Sequence, residues 1–144
     1  MISFVVQQVP DAFRERGRLR AWLDRVAKRE GRSIAQLNYV LMDDKGLLKY
    51  NRQYLGHDEY TDIITFDTRV MVSLSNHDKT IQGDILISYD RVKENAQAFN
   101  LPAQQELQRV MVHGLLHLCG HGDKGAKQQT AMRALENKYL KVLR

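Results

Sequence analysis

The sequence has few residues that cross-link or interrupt a chain. It contains one cysteine and two prolines among 144 residues. No internal disulfide can form, and a single thiol agrees with a reducing compartment. No apolar run approaches the roughly 20 residues that a membrane helix requires, and residues 1–6 lack the basic and apolar regions of a signal peptide. There is no repeat and no linker rich in Pro, Gly or Ser. We therefore expect one cytoplasmic domain over residues 1–144, with no membrane partner.

The composition is that of a folded globular protein with a basic surplus. Hydrophobic residues make up 43% of the chain and charged residues 27%, which are ordinary proportions. The 22 Lys and Arg residues exceed the 17 Asp and Glu residues, for a net charge of +5. A positive surplus favours polyanionic partners such as nucleic acids, because basic side chains that contact phosphates release counterions. The charge alone does not identify a partner.

Hydrophobic periodicity predicts nine elements in the order β-α-β-α-β-β-α-α-α. The predicted strands cover residues 2–7, 37–42, 62–67 and 85–87. The predicted helices cover about 11–30, a short segment after Asp43-Asp44, 89–99, 103–119 and about 126–142. Residues 69–79 fit either a hairpin strand or an irregular loop. The order indicates an α+β fold, in which a small mixed sheet is packed by helices and the helix over 103–119 is central.

A metal site is predicted where that central helix ends. His113 and His117 are four residues apart, so both imidazoles project from one face of the helix and can chelate a single zinc ion. Gly120 is suited to end the helix, and Asp123 can return from the following turn as a third ligand. Three protein ligands leave the fourth tetrahedral position for water, as in catalytic zinc sites. Cys119 does not share the histidine face and is expected to be a small packed residue.

Gly114 limits the chemistry of such a site. In zinc proteases with the H-E-x-x-H motif, the residue after the first histidine is the glutamate that acts as general base. Glycine cannot take a proton, so this position argues against ordinary zinc-protease chemistry. Because glycine inside a helix costs about 1 kcal/mol relative to alanine, we expect close packing against Gly114.

Several segments resemble, in the same order, the motifs of one family. The stretch His113-Gly114-x-Leu116-His117-Leu118-x-Gly120 is similar to H-G-x-L-H-L-x-G-Y-D-H of the YbeY family of bacterial endoribonucleases. Similarity extends over about Leu37 to Leu140, and its further matches are Tyr54, Asp58, Thr61-Asp62 and Phe66, the strand Gly83 to Ser88, Glu106-Leu107, and Met132 to Leu140. Motifs that agree in order and spacing are far more specific than any one of them.

The resemblance implies a function. It implies a metal-dependent, single-strand-specific endoribonuclease of ribosomal RNA maturation and ribosome quality control, with one zinc ion per chain and with RNA, and possible ribosome components, as partners. In this chain the ligands would be His113, His117 and Asp123. Asp84, which follows a glycine, would either orient a metal-bound imidazole or cap a turn.

The chain departs from the family at two positions that bear on the site. The family usually has histidine as third ligand where this chain has Asp123, and tyrosine where it has His121, so His121 is an alternative ligand. The family also usually carries an arginine at the position of Leu55. Arg52 or His57 could then supply the contact to the substrate phosphate, and we favour Arg52 because it lies three residues earlier on the predicted short helix.

Two other functions are compatible with the pattern. One is a zinc peptidase, although Gly114 argues against it. The other is a non-catalytic protein that binds RNA or the ribosome and has a structural metal, which a fourth protein ligand such as His121 would favour.

Overall fold

The structure, a computed structural model, describes residues 1–69 and 79–143. These residues form four strands and five helices in the predicted order: β1 (Ile2–Val6), α1 (Arg16–Arg29), β2 (Ser33–Met42), α2 (Asp44–Leu55), β3 (Ile63–Asp67), β4 (Thr80–Ser88), α3 (Tyr89–Ala98), α4 (Ala103–Leu118) and α5 (Gly125–Leu143). Among the described residues, no helix combines the length and the apolar character needed to cross a bilayer.

The sheet is mixed, as the sequence predicts. Its strand order is β1-β2-β4-β3. β2 is parallel to both β1 and β4, whereas β3 is antiparallel to β4. Parallel neighbours need a crossover connection, and α1 provides one between β1 and β2. The path from β2 to β4 runs through α2 and β3 instead.

The two faces of the sheet have different coverings. The larger core lies between one face and the helices α1, α3, α4 and α5, and includes Leu37, Tyr39 and Ile85 from the sheet. On the opposite face, α2 covers a smaller cluster of Met42, Leu47, Ile64 and Leu86. Alternation along the strands sends successive side chains to these two cores. α4 is therefore a central helix, with nine of its residues buried.

α4 packs on β4 through two glycines that face opposite ways. A Cβ on Gly114 of the helix would lie 2.9 Å from Ile85 Cδ1 and 3.0 Å from Ile63 Cδ1. A Cβ on Gly83 of the strand would lie 2.9 Å from Leu118 Cδ1 and 2.7 Å from the Phe66 carbonyl oxygen. Each glycine thus receives a side chain from the other element. The close packing predicted at Gly114 is confirmed.

Three predicted boundaries were wrong. The first helix begins at Arg16 rather than near Asp11, because Glu15 has a left-handed backbone (φ 53°) that no helix can continue through. β2 and β4 begin at Ser33 and Thr80, earlier than predicted, because their polar first residues pair with each other. Of the ambiguous stretch 69–79, residues 70–78 lie outside the described residues.

Candidate metal centre

α4 aims two imidazoles at one point. His113 and His117 are one turn apart, and their ring centroids lie 4.5 Å from each other at an interplanar angle of 80°. Their Nε2 atoms are 3.0 Å apart. The side chains are 18% and 25% exposed, because the apolar residues of α4 face the sheet and leave this edge of the helix at the surface. The helical spacing therefore brings the two rings together as predicted.

The turn after α4 returns a carboxylate to the same point. Gly120 has φ 102°, and its N–H donates to the His117 carbonyl while the His121 N–H donates to the Leu116 carbonyl. This pattern ends helices whose next residue is left-handed. The chain then reverses, and Asp123 Oδ2 lies 3.3 Å from His117 Nε2 and 3.6 Å from His113 Nε2.

The spacing of these three atoms fits a zinc ion. Tetrahedral zinc with bonds of about 2.0–2.1 Å holds neighbouring ligand atoms about 3.3–3.4 Å apart, and the three observed distances are 3.0, 3.3 and 3.6 Å. Within residues 1–69 and 79–143, these are the residues of types His, Cys, Asp and Glu that form such a group. The structure therefore contains a cluster that could bind a metal ion.

His121 is turned away from this cluster. Its Nε2 lies 2.5 Å from Glu30 Oε1, at the end of α1, and the other oxygen of Glu30 accepts a hydrogen bond from the Tyr139 hydroxyl. Burial alone would raise the pKa of Glu30, but the hydrogen bonds from Tyr139 and His121 lower it below its ordinary value. Glu30 is thus a carboxylate already shared between two partners.

Glu136 on α5 contacts His113, and the sequence reasoning missed it. Its Oε2 lies 2.7 Å from His113 Nδ1, and its Oε1 accepts from Arg109 Nη1 at 3.0 Å. Arg109 is also paired with Glu106, which is fully buried. Glu136 is only 2% exposed. Burial alone would raise its pKa, but the hydrogen bonds from His113 and Arg109, with the charge of Arg109, lower it.

The contact from Glu136 has a direct effect on His113. An ionised carboxylate can only accept, so the contact favours the tautomer of a neutral imidazole that has its proton on Nδ1 and its lone pair on Nε2. That is the tautomer a metal ligand requires, and a carboxylate behind a metal-binding histidine is a common arrangement. One sequence signal could have revealed Glu136: it is the acidic residue on the otherwise apolar buried stripe of α5, which comprises Met132, Tyr139, Leu140 and Leu143.

Asp84 does not orient either histidine. It lies on the α2 face of the sheet, because its neighbour Gly83 faces α4 and alternation sends Asp84 the other way. There its Oδ1 accepts from Asn38 Nδ2 at 2.8 Å. The structure gives the imidazole contact to Glu136 instead. Successive residues of β4 point to opposite faces of the sheet. Whether Asp84 could contact a histidine therefore depends on which of these faces α4 covers.

Arg52 lies near the end of α2, where its guanidinium is paired with Asp58 and both side chains are more than half exposed. The nearby Leu55 is 44% exposed and lines a cavity of about 260 Å³ with Asn51, His57, Tyr60 and Thr61 among others. Ile63 also lines it and packs against Gly114. Ile63 of β3 therefore contacts both the cavity at the C-terminal end of α2 and Gly114 of α4.

The fold and the cluster together define a class of protein. It is a small α+β protein in which one helix presents two histidines, and the following turn a carboxylate, to a site that could hold a metal ion. A family model described as Endoribonuclease YbeY matches residues 6–144. The chain belongs to the endoribonuclease YbeY family, as the sequence resemblance indicated.

Individual relatives agree with this assignment over nearly the whole chain. A protein of Cytophaga hutchinsonii named Endoribonuclease YbeY is 45% identical, covering 98% of this chain and 94% of its own length. One of the same name from Phocaeicola vulgatus is 41% identical, with 99% of each chain covered. A solution structure of a Thermotoga maritima protein matches with a TM-score of 0.64 and 27% identity, covering 99% of this chain and 89% of that one. The predicted α+β fold is confirmed.

Proposed function

We propose that this chain is a zinc-dependent endoribonuclease that cuts single-stranded RNA during ribosomal RNA maturation and ribosome quality control in the cytoplasm. In this proposal residues 1–144 act as one domain with one zinc ion per chain. The observation that carries the metal assignment is the convergence of His113 Nε2, His117 Nε2 and Asp123 Oδ2 at 3.0–3.6 Å from one another. The names of the relatives support RNA as the substrate.

The three side chains would hold the ion and leave room for water and substrate. A zinc ion with three protein ligands makes its bound water more acidic and stabilises negative charge that develops on a phosphate. The chain's own contribution begins with Glu136, which keeps His113 Nε2 free to bind. Asp123 adds a negative charge that a histidine would not, so the bound ion would be less electrophilic than with three imidazoles.

We also propose that a cation contacts the scissile phosphate, and we assign this role to Arg52. A guanidinium can bind two phosphate oxygens at once, whereas the apolar side chain of Leu55 cannot bind phosphate. The contact between Arg52 and Asp58 is at the surface, where such pairs contribute about 0–1 kcal/mol, so a phosphate can compete for the guanidinium. The net charge of +5 favours association with RNA in general.

Two observations speak against the other functions. Gly114 packs against Ile85 and Ile63, so a side chain at that position would point into the core. The general base of a zinc peptidase must instead point toward the metal. His121 contacts Glu30 and does not complete the ligand set. A structural metal site would have four protein ligands, whereas three converge here within the described residues.

The test combines metal analysis with cleavage assays on the same preparations. Purified protein is expected to contain close to one zinc per chain, to cut single-stranded RNA and to leave duplex RNA and casein intact. His113→Ala is expected to lose both the zinc and the cleavage. Asp24→Ala, which removes an exposed carboxylate of α1, is the matched control and is expected to retain both.

Three results would contradict the proposal. Cleavage that persists in His113→Ala and in the presence of a chelator would show that another nuclease is responsible. Zinc-loaded protein that binds single-stranded RNA with the expected salt dependence but never cuts it would make the protein a binding module. Cleavage of casein but not RNA would make it a peptidase.

A further inference from the structure

The loop that carries Asp123, residues 119–124, is held at both of its ends. At its start, Gly120 closes α4, and Arg32 Nη2 donates to the Cys119 carbonyl at 3.2 Å. At its end, the Lys124 N–H donates to Gln128 Oε1 at 2.9 Å. Gly122 lies so close that a Cβ there would be 2.6 Å from the same Gln128 oxygen. The path of the loop is therefore narrowly defined by its neighbours.

Asp123 itself has little to hold it in place. Its side chain is 46% exposed, and its carboxylate contacts His113 and His117, the two rings with which it would share the metal. No further partner of this carboxylate occurs in the part of the chain that the structure describes. The direction of the carboxylate thus depends on the backbone of the loop.

The middle of the loop is tied to the body of the protein by the side chain of His121. Its Nε2 contacts Glu30 Oε1 at 2.5 Å. Glu30 follows the last turn of α1, its side chain is only 14% exposed, and its second oxygen accepts from Tyr139 on α5, which is 1% exposed. A carboxylate held between two elements is a rigid anchor, and His121 is two residues from Asp123.

We propose that His121 is a positioning residue: its contact with Glu30 fixes the loop so that Asp123 faces the two histidines, and this contact raises the affinity of the site for its metal. The inference rests on the proposed function, since it takes Asp123 to be the third ligand. The sequence resemblance left His121 as an alternative ligand. In this proposal His121 holds the loop through Glu30 and does not bind the metal.

The experiment measures the zinc dissociation constant of folded protein by competition with a chromophoric chelator. His121→Phe keeps a ring but cannot bond to Glu30, and its zinc affinity is expected to fall about tenfold, the lower end of what loss of a supporting contact costs in metal sites. His121→Gln places an amide N–H near the former Nε2 and is expected to restore most of the affinity. Tyr139→Phe is the matched control, because it removes the other bond to Glu30 and leaves His121 in contact; it is expected to lower the affinity less than His121→Phe does.

Two further variants separate this inference from the proposed function. Asp123→Ala is expected to weaken zinc binding more than the His121 and Glu30 variants do; an unchanged affinity there would refute the ligand set itself. Glu30→Ala is expected to weaken zinc binding like His121→Phe. If His121 were itself a ligand, releasing it from Glu30 would leave the affinity unchanged or raise it.

The positioning role is overturned if His121→Phe binds zinc as tightly as the parent while Asp123→Ala does not. It is also overturned if Tyr139→Phe lowers the affinity as much as His121→Phe, because the network would then act only through general stability. Circular dichroism of each metal-free variant establishes that the comparison is between folded proteins.

Discussion

Replacing Glu136 by glutamine tests the arrangement behind His113 most directly. The substitution keeps the shape of the side chain but leaves one oxygen as an acceptor. If that oxygen accepts from His113, the new amide group faces the guanidinium of Arg109, donor against donor. If it accepts from Arg109, the amide donates to His113 Nδ1 and moves the imidazole proton to Nε2, which then cannot bind a metal. The first orientation loses the contact with Arg109 at 3.0 Å, and the second reverses the direction of the contact with His113 at 2.7 Å.

The expected magnitude follows from these contacts. Loss of the partner that orients a metal-binding histidine lowers metal affinity by about 10–100-fold, which corresponds to about 1.4–2.7 kcal/mol. The metal-free protein is also expected to lose about 1.5–3 kcal/mol of stability, the usual contribution of a hydrogen bond to a charged group. Arg109 keeps its pairing with Glu106, so the fold is expected to survive.

The assay is the zinc dissociation constant, measured beside urea unfolding of the metal-free protein. Glu106→Gln is the matched control, because Glu106 is equally buried and contacts Arg109 but not His113. The control is expected to lose stability and to keep its zinc affinity within about twofold. The role of Glu136 behind His113 would be refuted if both variants retained parental zinc affinity, or if both lost it equally.

Three further predictions concern other parts of the chain. Gly114→Ala is expected to reduce the free energy of unfolding by up to about 2 kcal/mol, because overpacking costs about 1–3 kcal/mol while the higher helix propensity of alanine recovers about 1 kcal/mol. A urea midpoint above that of the parent would contradict this prediction. Burial would raise the pKa of Asp44, but hydrogen bonds from Arg91 and Ser88 lower it. Its stabilising effect is therefore present above the unfolded pKa of about 3.9 and is lost as pH falls through the lower folded value. Asp44→Asn is expected to cost about 1 kcal/mol at pH 7, with a difference from the parent that narrows steadily below pH of about 4; a constant difference would argue against the ion pair. Arg52→Ala is expected to slow RNA cleavage severalfold with full zinc content, and equal rates on metal-loaded protein would remove Arg52 from the site.

The sequence predicted the fold class because each element carries its own pattern. The helical face of α4 and the apolar runs of β4 are local properties, and so is the spacing of His113 and His117 along one turn. The family assignment followed from several such local motifs in the correct order. Asp123 could be anticipated because a glycine ends the helix and only two residues separate it from that carboxylate.

What the sequence did not predict depends on contacts between distant segments. The contact of Glu136 with His113 spans 23 residues and that of His121 with Glu30 spans 91; both exist only because segments far apart in the chain pack side by side. The alternative in which Asp84 orients an imidazole was wrong for the same reason, since the face of the sheet that Asp84 occupies relative to the histidines is decided by where α4 lies. The beginning of α1 was predicted too early because a left-handed backbone at Glu15, a residue type that favours helices, has no local signature.

The two glycines between α4 and β4 limit how this part of the chain can change in length. Gly83 accepts a leucine of the helix and Gly114 accepts isoleucine side chains of the sheet, so sliding the helix by one residue along the strand would place a side chain where neither element has room. A single-residue insertion or deletion within α4 or β4 would therefore be absorbed only by rebuilding the contact. Loops elsewhere can vary in length at little energetic cost. Because His113 and His117 lie on the same helix, the packing at the two glycines also fixes the position of both histidines relative to the sheet.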